Sequence, residues 1–427
     1  MMLNCPGRGA CSVEITLHAL RGDGCGTPFP MTALDAGAGL SSSKPPRLWP
    51  VARGTRAMVA LLLAIVGSIG CERSSSEQAS QTDIEADSKE RPIKLDIVPP
   101  LKEEVAAFDL PGVIGDVQVG GGGRFLVLHL PEQNQLAVFD VNAARVIRRL
   151  KLADPDVRFS AGFDQLVVAY PQKRSIERWS LATFRREKTV EFNSQISALV
   201  LGSMSRGPLL VLAGSKGHAF DPATLSFLDL EKLEPLALTI ESRDGGAHFS
   251  ARDAMELRAA ANGQVFGLWC TSHSPSGLHI LAIDGDRVIH RYMHESVGHV
   301  LPGPDGKVIY TANARFTTEL QPIAGFNRFD TAYMVPSHHG DYYLKWIPKP
   351  PHVLTLHRAG GDKASVKLDN VELPTKLTDP LERRKMLPFH KRVHLIPLAK
   401  LLIVVAENEK TLVLHRCDPE QVLQAGR

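Results

Sequence analysis

One pattern recurs along most of the chain and limits its fold more than any other feature: a tight turn followed by a short, apolar run. Each run has five or six residues rich in Val, Ile, Leu and aromatics, as buried strands do, and long helical periodicity is nearly absent. Seven copies align by eye: GGGRFLVLHL at 121–130, GFDQLVVAY at 162–170, SRGPLLVLAG at 205–214, NGQVFGLW at 262–269, PDGKVIYTA at 304–312, HGDYYLKWI at 339–347 and PLAKLLIVVA at 397–406. The pattern predicts an all-β protein made of repeated units.

The spacing of the turns indicates what each unit contains. Successive turns lie 34 to 59 residues apart and 46 on average, and a four-stranded propeller blade uses about 40–45 residues. The strands predicted from the apolar runs are Phe125–Leu130, Leu136–Val141, Leu166–Tyr170, Leu209–Ala213, Val265–Cys270, Val308–Ala312 and Leu401–Ala406. In the first unit, Val113–Val119 precedes and Val146–Leu152 follows two of these strands, which completes a set of four.

The order of elements in this first unit, with a strand ending in Phe139-Asp140, resembles the blades of WD-repeat and YVTN-type β-propellers. The segment PDGKVIYTA, with its Asp305-Gly306 turn, and the second Phe-Asp ending at Phe220-Asp221 carry the same resemblance. It covers residues 93–427, although recurring Trp-Asp pairs are missing. The resemblance implies a propeller of about seven four-stranded blades. Rings of six or eight blades and an irregular pair of β-sandwiches remain alternatives.

The last unit supplies only three strands, Val393–Ile396, Leu401–Ala406 and Thr411–Arg416. A propeller leaves no exposed strand edges when its ring is closed. Ile93–Val98 has the length and apolar alternation of the missing strand. We therefore predict that this N-terminal strand closes the ring by completing the last blade.

The N-terminal fifth of the chain has the character of a targeting sequence. Residues 1–57 have no sustained period, so they are interpreted as disordered or as a mis-assigned extension, with Val51 as an alternative start. Met58–Gly70 is a run of thirteen uncharged residues behind Arg53 and Arg56. It is shorter than the roughly 20 residues that cross a bilayer. Its length is that of a secretory signal core.

The end of this run, just before Cys71, resembles a bacterial lipoprotein signal. Small residues precede Cys71, although Ser68 stands where that family prefers Leu. The resemblance implies that 58–71 is a signal peptide with a lipidated Cys71. A plain secretory signal, an uncleaved anchor and a short buried helix are the alternatives. Residues 72–92, rich in Ser, Gln, Asp and Glu, predict a disordered tether to a propeller domain at 93–427.

The net charge and the predicted cellular location together limit the partners of the chain. The 49 basic and 46 acidic residues give a net charge of only +3, so binding of nucleic acid through bulk charge is not expected. The predicted location is the cell envelope on the periplasmic side, anchored to the membrane through lipid or secreted. The expected partner is an envelope protein or ligand that the sequence does not identify.

Motifs with known chemistry are scarce. Gly120–Gly123 is interpreted as a turn, because Arg124 begins a strand where a phosphate loop would begin a helix. Neither Gly-x-Ser-x-Gly nor His-Glu-x-x-His occurs, and no cofactor is expected. His338 and Asp341 are the candidate metal ligands, because imidazole and carboxylate are zinc ligands. Two looser histidine groups are interpreted as neutral surface or turn residues; they are His290, His294 and His299, and His390 and His394.

Two functions fit these observations. The first is a non-catalytic binding or scaffold module that uses a loop face or the mouth of the central channel. The second is an exported enzyme, a hydrolase, lactonase or oxidoreductase, with a site at the channel built from Asp116 and the His338–Asp341 loop. Inner strands from every blade converge on the channel, so residues distant in sequence can meet there.

Overall fold

Seven separate sheets, arranged as the blades of a propeller, contain nearly all of the regular structure in the computed structural model. The structure describes residues 96–99, 101–214, 222–243, 251–252, 255–271, 274–324, 332–360, 365–378 and 386–426. Each sheet has four antiparallel strands, and one carries a fifth, parallel strand at its outer edge. The predicted all-β propeller with seven four-stranded blades is confirmed. The alternatives of six blades, eight blades and paired sandwiches are wrong.

The blades follow one another along the chain, each beginning with its innermost strand, except that the outermost strands of blade 4 and blade 7 come from earlier in the chain. From the inside outwards, the strands are Asp116–Gly120, Phe125–Leu130, Gln135–Asp140 and Arg145–Lys151 in blade 1; Arg158–Ala161, Gln165–Tyr170, Ser175–Ser180 and Arg186–Glu191 in blade 2; Gln195–Val200, Leu209–Gly214, Pro222–Leu228 and Ala251–Arg252 in blade 3; Met255–Ala259, Val265–Cys270, Leu278–Asp284, Arg287–Met293 and the parallel Thr239–Ser242 in blade 4; Leu301–Pro302, Val308–Tyr310, Arg315–Thr317 and Pro322–Ala324 in blade 5; Tyr333–Pro336, Tyr342–Ile347, Val353–Arg358 and Ser365–Lys367 in blade 6; and Val393–Ile396, Leu401–Val405, Thr411–Arg416 and Val105–Asp109 in blade 7.

Helical elements are short. In the described ranges the α-helices are α1 at Phe389–Arg392 and α2 at Pro419–Ala425, which lie before and after the last three strands. Single turns of 3-10 helix occur at Gly121–Gly123, Pro131–Gln133, Thr375–Thr378 and Pro397–Ala399. Among the described residues, none of the helices has the length and apolar character needed to cross a bilayer.

The second strand of a blade is apolar at every position because it is covered on both faces. In Phe125–Leu130, all six residues are buried. Leu126 and Leu128 pack in one cluster with residues of blade 7, while Phe125 and Val127 pack in another with residues of blade 2. A strand that packs against two neighbouring blades has no polar face, so the sequence shows a continuous apolar run instead of alternation.

The outer strand of blade 7 comes from the N-terminal side of the chain, but not from the predicted residues. Val105–Asp109 pairs antiparallel with Thr411–Arg416, with Val105 opposite His415. The predicted strand Ile93–Val98 is wrong, because its described part, Asp96–Val98, has no strand pairing. There, Asn142 of blade 1 donates to the Asp96 carbonyl at 2.9 Å and accepts from the Val98 N–H at 2.9 Å. Those bonds satisfy backbone groups that a strand would use for pairing.

The recurrent turns predicted from the sequence connect the first and second strands, and they interlock at one end of the channel. Gly121 donates its N–H to the Gly162 carbonyl at 2.9 Å, and Met204 donates to the Ala261 carbonyl at 2.8 Å. Space is tight: a Cβ on Gly202 would lie 2.3 Å from the Ala260 carbonyl oxygen. Gly122 has a φ of 63°, which favours glycine. The run Gly120–Gly123 is therefore a turn, as predicted.

The predicted N-terminal regions, 1–57, 58–71 and 72–92, lie outside the described residues, and so does the second Phe-Asp ending at Phe220-Asp221. The domain boundaries assigned to them stay predictions.

Candidate functional site

The inner strands enclose a central channel that contains two adjoining cavities. The inner cavity has a volume of about 110 Å³, and its walls come from every blade except blade 2. A wider cavity of about 410 Å³ lies where the inner strands of blades 1 to 4 begin, at one mouth of the channel. Gln118 and Arg258 line both cavities. Arg258 therefore lies at the junction between the narrow and the wide part.

The mouth holds charged side chains that pair with one another. Lys391 lies in α1 and lines the mouth. Its Nζ is 3.0 Å from Asp116 Oδ1 and 3.8 Å from Glu256 Oε2. Burial by itself would raise the pKa of Asp116, but the charges of Lys391 and Arg258 hold that pKa below its usual value of 3.8. Asp116 is therefore an ionised carboxylate that forms an ion pair with Lys391.

Three histidines that line the inner cavity, His338, His390 and His394, come together with a fourth, the buried His299. His394 donates its Nε2 proton to the Lys391 carbonyl at 3.0 Å, which leaves its Nδ1 as an acceptor. That Nδ1 lies 3.4 Å from His338 Nε2, which therefore donates to it. His299 donates its Nε2 proton to the Met334 carbonyl at 2.9 Å. The ring of His390 packs near that of His299, with their centroids 5.7 Å apart.

All four imidazoles are neutral at pH 7. Burial, helped by the positive charge of Arg258, lowers the pKa of His299 and of His394 to about 4. Burial is also the main reason that the pKa values of His338 and His390 lie well below 6.5. An uncharged imidazole both donates and accepts one hydrogen bond, so the cluster presents neutral polar groups to the channel.

Several polar groups of the channel have no protein partner among the described residues, and His390 Nε2 and the Arg258 guanidinium are two of them. The Nε2 atom of His390 is buried and makes no hydrogen bond. The partly buried guanidinium of Arg258 makes neither a hydrogen bond nor an ion pair with any residue in the described ranges. Buried polar groups in native proteins nearly always have partners. A ligand in the channel would supply the contact that the buried His390 Nε2 lacks, and the partly buried guanidinium of Arg258 is available to bind it.

The structure separates the two candidate metal ligands. His338 faces His394 in the channel, whereas Asp341 is exposed and pairs with Arg358, whose Nε lies 3.4 Å from Asp341 Oδ1. Within the described part of the chain, no group of three or more His, Cys, Asp and Glu side chains is arranged to hold a metal ion. Cys71, the predicted lipidation site, lies outside the described residues.

Asp116 and His338, named above for a site at the channel, both line it, but most of the site was missed. His299, His390 and His394 were placed in separate groups and interpreted as surface or turn residues, and Arg258 and Lys391 were not considered. A signal was available: the turn at 262–269 requires an inner strand just before it, and that strand contains Arg258. The predicted inner strand Val393–Ile396 likewise contains His394.

The chain is similar to several solved structures at low identity. Hydrazine synthase of Kuenenia stuttgartiensis is 14% identical with a TM-score of 0.46, over 72% of this chain and 96% of that one. The Cps50 (Swd1) β-propeller domain of Myceliophteria thermophila is 13% identical with a TM-score of 0.45, over 73% and 98%. A chain of the mitotic checkpoint complex is 11% identical with a TM-score of 0.47, over 78% and 97%. No protein-family model and no curated protein sequence matches the chain.

Proposed function

We propose that this chain is a binding module whose ligand occupies the central channel. The observation that carries the proposal is a cavity of about 110 Å³ lined by two such groups: His390 Nε2, which is buried and unsatisfied, and the partly buried Arg258, which has no hydrogen bond or ion pair to a described residue. Binding sites in proteins are concave, mainly apolar and supplied with a few polar groups that orient the ligand. The inner cavity is concave and combines apolar walls, Val119, Leu301 and Val335 among them, with polar groups.

Binding fits the channel better than catalysis does. A general acid or base works best when its pKa lies near the working pH. The pKa values of His299 and His394 are about 4, and Asp116 is held ionised against Lys391. These groups keep one protonation state near neutral pH, which suits ligand binding better than proton transfer. The alternative of an exported enzyme keeps one supporting observation, since Asp116 and His338 both line the channel as that alternative requires.

A channel-filling variant tests the binding proposal. Ala259 lines the inner cavity, so Ala259→Phe places a ring in it, while Ala182→Phe adds the same ring outside the channel, in the turn after Ser175–Ser180. A ligand that binds the native state raises its melting temperature. In a screen of anionic, neutral and cationic metabolite-sized compounds, we expect compounds that stabilise the wild type and Ala182→Phe but not Ala259→Phe. If no compound stabilises the wild type, or if stabilisation persists in Ala259→Phe, the channel is not the binding site.

We also propose that the module is exported and tethered to the membrane through Cys71, with residues 72–92 as the spacer. The support is the sequence alone: the uncharged run Met58–Gly70 behind two arginines and directly before Cys71. Cys71→Ala should abolish incorporation of a labelled fatty acid in a bacterial host and release the protein from membranes. Cys270→Ala, in blade 4, is the matched control and should keep the label. Labelling that survives in Cys71→Ala would overturn the anchor.

A further inference from the structure

We infer that the ligand of the inner cavity is a small oxyanion, either a carboxylate or a phosphate, bound by Arg258. The inference rests on the proposed function, because it names the class of ligand for the same channel. It is carried by the charge of the cavity walls and by the donors that are left without partners.

The only formal charge on the described lining of the inner cavity is positive. The described residues that line it include Arg258 and no Asp, Glu or Lys. The same positive charge affects the four histidines, because Arg258 is among the charges that lower their pKa values. The carboxylate of Asp116 does not cancel this charge by direct pairing, since it contacts Lys391 Nζ and accepts from the Val117 N–H at 2.7 Å. A guanidinium stays charged at any physiological pH.

The free donors match the geometry of an oxyanion. An arginine offers five N–H groups in a planar fork and binds carboxylate or phosphate through two parallel hydrogen bonds. Gln118 and Ser203 also line the cavity, and neither side chain makes a hydrogen bond to a residue in the described ranges. They add neutral donors around the guanidinium. His390 Nε2 is the fourth candidate contact.

A transition-metal ion is the competing ligand for a cavity with several histidines, and the geometry disfavours it. The separation of 3.4 Å between His338 Nε2 and His394 Nδ1 is close to the distance of about 3.3 Å between two tetrahedral zinc ligands. However, a proton already lies between these nitrogens, and the described residues offer no third ligand positioned with them. The charge of Arg258 also repels a cation. Zinc binding is therefore measured as the competing outcome in the experiment below.

Isothermal titration of the purified full-length chain tests the inference with probes of one size and three charges. Butyrate, butyramide and n-butylammonium differ mainly in charge, and inorganic phosphate separates phosphate from carboxylate recognition. We expect butyrate or phosphate to bind the wild type at least tenfold more tightly than butyramide, and butylammonium not to bind. Loss of a charge-assisted hydrogen bond predicts affinity for the anion that is at least tenfold weaker in Arg258→Gln. Arg287→Gln, in the outer part of blade 4, is the matched control and should bind as the wild type does.

The outcomes separate this inference from the proposed function. Butyramide binding that equals butyrate binding, or anion binding that is unchanged in Arg258→Gln, overturns the anion assignment. If a neutral ligand binds the wild type but not Ala259→Phe, the channel remains a binding site and only the anion assignment fails. Zinc binding that is tighter than anion binding and lost in His338→Ala also overturns it. If none of these probes binds the wild type, the anion assignment fails, and the screen described above decides the proposed function.

Discussion

Arg392, next to the inner strand of blade 7, and Arg258, in the channel wall of blade 4, have opposite surroundings. The side chain of Arg392 is fully buried and donates to the carbonyls of Leu387, Val405 and Ala406, and it pairs with Glu409. The Arg258 side chain is partly buried and has no such partner among the described residues. One arginine joins three segments of the fold, and the other contributes no contact of this kind.

The contrast separates groups that hold the fold together from groups that are held ready for a ligand. A buried charge with all its hydrogen bonds satisfied is expensive to disturb, because its partners would be left unpaired. A charge without partners contributes little to folding, and natural proteins retain such groups mainly at functional sites. The two arginines should therefore respond differently when each is replaced by glutamine.

The largest effect is expected at Arg392. Arg392→Gln removes the charge that Glu409 pairs with and leaves buried carbonyls without donors. Breaking one side of a buried pair of this kind costs about 3–5 kcal/mol. Urea unfolding should show that loss, while Arg416→Gln, whose partner Glu104 is 3.8 Å away at the surface, should lose less than about 0.5 kcal/mol. A loss below about 1 kcal/mol for Arg392→Gln would mean that Arg392 does not join these segments.

Acid should weaken the channel region next. The folded-state pKa values of His299 and His394, about 4, lie below the unfolded value of 6.5. The unfolded chain therefore binds more protons between these values, and the free energy of unfolding falls as the pH is lowered from 6.5 to 4. Each histidine contributes up to roughly 3 kcal/mol of that fall. His394→Gln should make urea unfolding less sensitive to pH in this window, and the exposed His352→Gln should not. Equal pH dependence in the wild type and His394→Gln would refute this cause.

The smallest effect on stability is expected at Arg258. Arg258→Gln breaks no hydrogen bond or ion pair to a residue that the structure describes, and it removes a partly buried charge. We expect its free energy of unfolding to lie within about 0.5 kcal/mol of the wild-type value, or above it. Urea unfolding beside Arg392→Gln measures the contrast directly. A loss of more than about 2 kcal/mol would place Arg258 among the residues that hold the fold together.

The parts of the fold that the sequence predicts are those where packing leaves a pattern. Phe125–Leu130 and Val265–Cys270 are predicted with the observed ends, because strands covered on both faces are apolar throughout. The outer strand Val105–Asp109 was missed, since its residues are exposed or partly exposed and carry a weaker signal than Ile93–Val98. Leu301–Pro302 is only two residues long and leaves no period to detect.

The site was less predictable than the fold because its members are distant in the chain. Asp116 and Lys391 form an ion pair across 275 residues, and no local motif connects them. Asp116 was found because it lies in a predicted inner strand, Val113–Val119. Arg258 lies on an inner strand that was not predicted itself, although the turn that follows that strand was. Assigning an inner strand before each recurrent turn would have brought Arg258 and His394 to the channel together.

The sharpest test of anion binding by Arg258 is a crystal structure of the protein with butyrate or phosphate, at a concentration that saturates binding in solution. We expect an oxyanion in the inner cavity, with its oxygens about 2.7–2.9 Å from the Arg258 guanidinium nitrogens. Gln118, Ser203 or His390 should supply a further hydrogen bond. An inner cavity that holds only water under those conditions, or an anion bound elsewhere while Arg258 remains without a contact, would show that Arg258 is not an anion-binding residue.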